Sequence, residues 1–551
     1  MYFVIFYGLC VPILFALTLF IAVCATRSLV FLFVAFFSRT EFNLKTNKLC
    51  FNHNRVKWSF LNYIKKDTDF VFKDDMLGKY NQKFCVNSND ENAKEGNNNP
   101  VGDVLLSPYH DSPVPFISIL IASYNENIVI EKLLLSMSNL EYDFDKFEIV
   151  VVDDSDDGTQ DTLKDWSKKL SNLKVIHREN RGGWKGGALN IGIKHLNDKS
   201  EFVLIVDADN VLRANTLKKI ASSFASFQNK ENTFPSVIQG YPMPTVNVGR
   251  DGFMGPKYRM QSPKPFDACD GGNNGNNWVS RGISLRLCQR NLIEFVAKEK
   301  LALPLPITGS LFSIKTDVLK SIRFSHDLCE DWDLTLDVYL SKFIKNKDDG
   351  DASRVNKKHF RHKGETSKNF YKSSSNKNTI SFNPDIASFT EATTKSKAYF
   401  NQRRRVSEGH TRGFRKRAIK ILKNGRLSFI YKLELFLMGL RYAKYVPIVC
   451  LILFDFLLLC GKEYDYIIKD NAIKLLMGLQ GLSLFMHLAY SIISINLLWK
   501  NKEPYHYKDM LCLLLLNVYT IPAFVIGSIL GLVRGKGSFN RTTRNEEMAA
   551  E

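Results

Sequence analysis

The stretch FVLIVDADN, Phe202–Asn210, runs five apolar residues straight into two aspartates spaced i and i+2. An apolar run of that length, closed by a turn signal, reads as a buried strand. The aspartates then either begin a turn or set two hard oxygen ligands at the carboxyl end of a sheet, where open α/β sheets build their ligand sites. The flanking sequence weighs the two readings. From Pro115 onward, FISILIASYNE, FEIVVVDDSDDGT, LKVIHREN and FVLIVDADN alternate with segments of helical period, Ile128 to Leu140, Leu163 to Leu170 and GGALNIGIKHL. That alternation is the signature of βαβ units on a parallel sheet.

Parallel strands present their carboxyl ends on one side. Ser123, Tyr124, Asn125 and Glu126, then Asp153 and Asp154, then Asp207 and Asp209 are therefore expected to share one crevice. Clustered carboxylates repel a phosphorylated ligand unless a divalent cation lies between them, and Mg²⁺ is commonly held by one or two carboxylates plus substrate phosphate oxygens. Lys185, inside RGGWKGGALN, adds a point charge at the start of a helix; the same glycines also suit a tightly packed loop. In DLCEDWDLTLDVYL, Asp327–Leu340, the carboxylates of Glu330 and Asp331 are either partners of the helix dipole or a place to deposit a proton. The arginines of FNQRRRVSEGHTRGFRKR, Phe400–Arg417, equally suit a solvated run beside a membrane, which leaves Gln402 unexplained.

The chain has 551 residues, 45% of them hydrophobic, with the apolar ones unevenly placed. Between Tyr2 and Phe37 the only charge is Arg27, and further apolar blocks run from Val446 to Cys460, Ala472 to Trp499 and Met510 to Val533. The last two are long enough to cross a hydrocarbon core of about 30 Å and the first is marginal. The N-terminal run lacks an early basic residue and is too long for a cleaved signal, so it reads as a retained anchor, crossing once or turning back around Arg27. The stretch Leu427 to Tyr445 is expected in the interface plane. The formal charge of +19 is concentrated near these blocks, which favours anionic lipid and the cytoplasmic side over nucleic acid. Ten cysteines without any CxxC pair are neither a zinc site nor a disulfide framework.

These features divide the chain into an anchor at 1–40, a polar linker at 41–112, an α/β domain at 113–425 and a C-terminal interfacial and transmembrane region at 426–551. Low-complexity insertions interrupt the domain at 271–277 and 345–378.

Taken in order, SYNE, VVDDSDDGT, GWKGGALN, DAD, CED and QRRRV resemble the membrane-embedded family-two glycosyltransferases, the group of the cellulose, mannan and hyaluronan synthases. The resemblance implies a GT-A nucleotide-sugar-binding domain with a Rossmann-like mixed sheet between N- and C-terminal membrane helices. It implies that Tyr124, Glu126, Asp154, Lys185, Asp207, Gln402 and Arg405 hold a UDP- or GDP-sugar donor, and that Asp209 with Asp207 holds Mg²⁺ or Mn²⁺. Asp331 is implied as general base, with Glu330 beside it in the catalytic pair. Ser538–Arg544, SFNRTTR, faintly resembles a segment that closes over the nucleotide. The tryptophan of the family's Gln-x-x-Arg-Trp motif is Val406 here, and the first residue of its Thr-Glu-Asp motif is Cys329. A growing β-linked glycan and a lipid therefore both stand as acceptors. A noncatalytic scaffold binding nucleotide-sugar is the competing class, although it needs no base beside a metal site. A nucleotide-driven transporter lacks its Walker A sequence.

Overall fold

The computed structural model describes residues 11–37, 114–228, 235–245, 277–341, 379–460, 471–500 and 507–535. The linker 41–112, the insertions 271–277 (Asn277 excepted) and 345–378, and the SFNRTTR segment lie outside the described residues. The N-terminal apolar run forms one helix, α1 (Val11–Phe37), with no turn at Arg27. Arg27 survives there because it is paired: its Nε donates to Glu434 at 2.8 Å and its guanidinium reaches Glu294 at 3.3 Å. Lys298 approaches the same carboxylates at 2.9 and 3.2 Å and Arg441 reaches Glu294 at 3.5 Å, so α1 is joined to the domain by a charge network of five residues.

The domain opens with β1 (Ile117–Ser123), α2 (Asn127–Ser138), β2 (Phe147–Asp153), α3 (Thr159–Lys169), β3 (Leu173–His177), α4 (Trp184–Ile193) and β4 (Phe202–Asp207). Ile119, Leu120, Ile121, Val150, Val151, Leu204 and Ile205 are buried, as strands covered on both faces require. The second half is β5 (Asn210–Leu212), α5 (Thr216–Gln228), β6 (Val237–Thr245), α6 (Trp278–Cys288) and a π-helical turn (Gln289–Phe295). It continues through α7 (Val296–Lys300), β7 (Phe312–Lys315), α8 (Thr316–Ile322), α9 (Glu330–Leu340) and β8 (Ile380–Glu391).

The sheet order is β3-β2-β1-β4-β7-β6-β8-β5. The first four strands are parallel, as the alternation predicts, but β7 runs antiparallel to both β4 and β6, so the sheet is mixed. β4 thus lies at the join between the parallel half and the antiparallel β7.

After β8 the described chain is helical: α10 (Ser396–Lys423) closes the α/β domain, and α11 (Phe429–Gly439), α12 (Tyr445–Cys460), α13 (Asn471–Lys500) and α14 (Tyr507–Val533) follow. Within α1, α13 and α14, the segments Pro12–Phe36, Ile473–Leu498 and Lys508–Val533 are long and apolar enough to cross a membrane; α12 offers a shorter apolar helix. On α11, Phe429, Ile430 and Leu433 are exposed while Tyr431, Leu435 and Met438 are buried.

Candidate active site

Strand register brings the candidate residues to one edge. Ser123 pairs with Asp153 across β1 and β2, and Ala122 with Asp207 across β1 and β4, so the three strands end level. Asp153 is fully buried and accepts from the Ser155 hydroxyl at 2.6 Å, which makes it part of the turn. Asp154 is held by both prongs of the Arg178 guanidinium, Nε at 2.6 Å, and its side chain is 4% exposed. The rest of DDSDDGT holds the SYNE turn in place. The Asn125 N–H donates to Ser155 at 2.8 Å, the Glu126 N–H to Thr159 at 3.1 Å, and the Asp156 N–H to the Asn125 side chain at 3.0 Å. Asn125 has φ of 54°, the left-handed region asparagine tolerates. This presents the Tyr124 ring, with the Arg181 guanidinium 3.2 Å from its centroid.

Lys185 stands in the first turn of α4, which starts from Gly183 at φ of 78°. A Cβ at Gly186 or Gly187 would run into the carbonyl oxygens of Ser325 and Gly182, so these glycines serve close packing as well as chain direction. The ammonium donates to Asp207 Oδ1 at 2.5 Å and to the Gly309 carbonyl at 2.8 Å, and lies 3.3 Å from Glu330 Oε1. Burial alone lowers the Lys185 pKa, but the Asp207 and Glu330 carboxylates more than reverse this and hold it charged. Asp207 is raised by burial and by Asp209, against the pull of Lys185. Burial, then the Glu330 carboxylate, pushes Asp331 up to about 7 against the pull of Lys185. Its Oδ1 accepts the Trp332 N–H at 2.8 Å, and a Cβ on Gly309 would come within 3.2 Å of its Oδ2.

The Thr308-Gly309-Ser310 turn is a part of this site that motif reading misses. Ser310 Oγ accepts the Asp207 N–H at 2.9 Å, and Gln239 holds the turn by accepting the Thr308 N–H at 2.9 Å and donating to the Ser310 carbonyl at 3.1 Å. Its signal is a Gly-Ser pair between the apolar run LALPLPI and the strand FSIK.

Asp209 accepts from Asn210 Nδ2 at 3.2 Å and from Thr390 at 3.4 Å, both long contacts. Among the described residues no group of three or more His, Cys, Asp or Glu side chains is arranged to enclose a metal. The i, i+2 pair supplies hard oxygens, with Lys185 engaging Asp207 through Oδ1. This donor set fits a divalent cation completed by substrate phosphates and does not fit an all-protein cage.

α10 carries Gln402 and Arg405. The Cys329 thiol donates to the Val406 carbonyl at 3.4 Å, and a Cβ on Gly409 would lie 2.7 Å from Cys329 Sγ, so the QRRRV helix seats directly on the CED turn. Burial lowers the Arg405 pKa, and Cys329 and Glu330 oppose this, which sets its charge near Glu330. Gln402 Oε1 accepts from Arg403 at 3.2 Å. The basic run is only partly a solvated one. Arg412 is fully buried and donates to Asp327 at 3.0 Å, while Arg417 bonds Asp333 and Asp337 at 2.6 Å each.

Residues 118–268 match the family described as Glycosyl transferase family 2. Over these residues the chain carries a family 2 glycosyltransferase domain, built on the mixed α/β sheet. A beta-monoglucosyldiacylglycerol synthase of Trichormus variabilis is 34% identical over 131 residues, 22% of this chain and 28% of that protein. A probable glucomannan 4-beta-mannosyltransferase of Oryza sativa is 37% identical over 101 residues, 17% of this chain and 18% of that protein. Thus the chain matches less than a third of either relative's length. Among solved structures, a mannosyltransferase of Pyrobaculum calidifontis in complex with GDP-Man and Mn²⁺ aligns over 77% of this chain and 88% of its own at 16% identity, with a TM-score of 0.45. The matched family segment ends before Glu330, Asp331, Gln402 and Arg405.

Proposed function

We propose that this chain is an inverting glycosyltransferase that moves a sugar from a nucleotide-sugar donor to a glycan or lipid acceptor at a membrane, with its α/β domain on the cytoplasmic side. The observation that carries the reading is the Lys185 hub. One ammonium ties the end of β4, the Gly309 turn and the start of α9 together, next to a carboxyl raised to about 7.

In this reading Asp331 accepts the proton of an acceptor hydroxyl, whose oxygen attacks the anomeric carbon as the bond to the diphosphate breaks and the nucleoside diphosphate leaves. Attack from the face opposite the leaving group inverts the anomeric centre, giving a β-linked product from an α-linked donor. Lys185 and Arg405 stabilise the charge that develops on the leaving oxygens. Tyr124 and Glu126 line the nucleobase end with Asp154, whose carboxylate Arg178 orients, and Gln402 lines the approach to the diphosphate. Asp209 and Asp207 would hold Mg²⁺ or Mn²⁺, which when bound neutralises charge on the departing diphosphate. Proton transfer by a positioned carboxylate contributes about 10²- to 10⁴-fold.

A lipid acceptor keeps its place beside a glycan on one specific residue. Val406 stands where the family motif carries an aromatic face for a sugar, and its carbonyl is taken by Cys329. A panel of UDP- and GDP-sugars with Mg²⁺ or Mn²⁺, offered to the detergent-purified full chain together with glycan and lipid acceptors, tests the reading. Metal-dependent release of nucleoside diphosphate from one donor is expected, reduced at least about 10²-fold in Asp209→Ala. Tight donor binding without release would favour a scaffold that binds nucleotide-sugar.

A further inference from the structure

α14 is one of the three helices long and apolar enough to cross a membrane, yet its neighbours are wrong for a crossing. Along its first half it lies against α6. Asp509 pairs with Arg281 at 2.8 Å, Gly282 lies so close that a Cβ would be 2.9 Å from the Cys512 carbonyl, and Arg286 donates to Asn517 and to Thr520, the latter at 3.4 Å. Along its second half it lies against α10. The Ser407 hydroxyl donates to the Phe524 carbonyl at 2.9 Å, Gly527 has no room for a Cβ beside the Arg404 carbonyl, and Thr411 meets Ser528 at 3.4 Å. A Cβ on Gly531 would lie 2.5 Å from the Glu408 carbonyl, and Arg415 donates to the Leu532 carbonyl at the helix end.

Both companion helices belong to the α/β domain. To thread α14 through a bilayer in this packing would carry Arg281, Arg286 and the Arg403–Arg417 segment to hydrocarbon depth, where each charge is costly. The surface turned away from these companions is different. Leu511, Leu515, Val518, Pro522, Ile526, Ile529 and Val533 are exposed at intervals of three and four along the helix, while Leu516, Thr520, Ala523, Phe524 and Ser528 are buried on the other side. The opposite face, Leu516 and Phe524 as well as Thr520 and Ser528, is taken up by the domain, so a single apolar stripe is left for lipid. Arg415 and Arg534, both exposed at its C-terminal end, suit anionic headgroups.

The crossing helices are found elsewhere. α1 packs beside α13, with Thr26 reaching Met486, and α13 is fixed to the domain by Gln289 bonding Ser494 near its C-terminal end. The far portions of both, and of α12, expose apolar residues on their own: Ile13 and Leu19, Leu475 and Leu482, Ile452 and Phe456. The 16 residues of α12 span about 24 Å at about 1.5 Å per residue, a mismatch a bilayer absorbs at modest cost.

We infer that α14 lies in the plane of the domain-facing leaflet with its apolar stripe on the lipid, and that α1, α12 and α13 are the helices that cross. This holds independently of the chemistry at Asp331. It sets α10, and with it Arg405, at headgroup level.

Protease protection in sealed vesicles with the domain facing outward tests this. Epitope tags are placed singly in 461–470, in 501–506 and after Glu551 of the full chain, and only tags that leave the elution volume and thermal midpoint unchanged are read. The tag in 461–470 is expected to be protected until detergent is added, while those in 501–506 and at the C-terminus are digested with the domain. A protected tag in 501–506 or at the C-terminus would mean that α14 crosses, and a digested tag in 461–470 would mean that α12 and α13 do not; either overturns the assignment.

Discussion

At the scale of single residues, the site is governed by one cation among carboxylates. Asp207, Glu330 and Asp331 repel one another, and Lys185 is what keeps three carboxylates together in a half-buried place. Removing the ammonium leaves them facing one another, so Lys185→Met should destabilise the domain by about 1–3 kcal/mol, measured by denaturant unfolding at neutral pH. An unchanged midpoint would show that the ammonium is dispensable to the fold. The raised Asp331 pKa has a sign that can be followed. As a base it must be ionised, so kcat/KM should climb as pH rises through about 7 and level off above. The folded state holds this proton more tightly than the unfolded chain, so Asp331 contributes stability at low pH that is lost as pH rises towards about 7. A rate already level from pH 5 upward would remove Asp331 as the base. Some of this was legible in the motifs, which name Lys185, Asp207, Asp209 and Asp331. The partner of Asp154 was not, because Arg178 sits past the end of a different strand and only register brings the two together.

At the scale of elements, α10 is the piece that joins chemistry to membrane. One side seats on the CED turn through Gly409 and Gly413, and Trp332 stacks on His410 with centroids 4.1 Å apart. Its other side meets α14 through Gly527 and Gly531. Gly531→Leu should therefore force the two helices apart and cost about 1–3 kcal/mol, the usual penalty of overpacking. The thermal midpoint of the variant in detergent checks it, and a midpoint equal to the parent's would show that the interface is slack. The alternation of apolar runs and helical segments gave away β1 to β4 and the helices between them, since parallel strands covered on both faces need continuous apolar runs. The antiparallel β7 was hidden because FSIK is short and its direction is set by contacts distant in sequence. Arg412 and Arg417 read as surface charge because their partners, Asp327, Asp333 and Asp337, lie some 80 residues away.

At the scale of the whole molecule, a family 2 glycosyltransferase domain is fixed to α1 by charge as well as by apolar contact. Arg27, alone in an apolar run, is compatible in sequence with a single helix or a hairpin; the structure shows one helix, with Arg27 the point where α1 meets Glu434 and Glu294. Hydropathy locates apolar helices but is blind to what packs against them, which is why α14 resembles a crossing in sequence and a surface helix in its contacts. That Asp331 takes the acceptor's proton in a glycosyl transfer is tested by comparing Asp331→Asn with the parent chain for donor binding and for transfer from the donor found by the panel. Donor affinity is expected to stay unchanged while transfer falls by about 10²- to 10⁴-fold. Transfer at the parent rate in Asp331→Asn would contradict it.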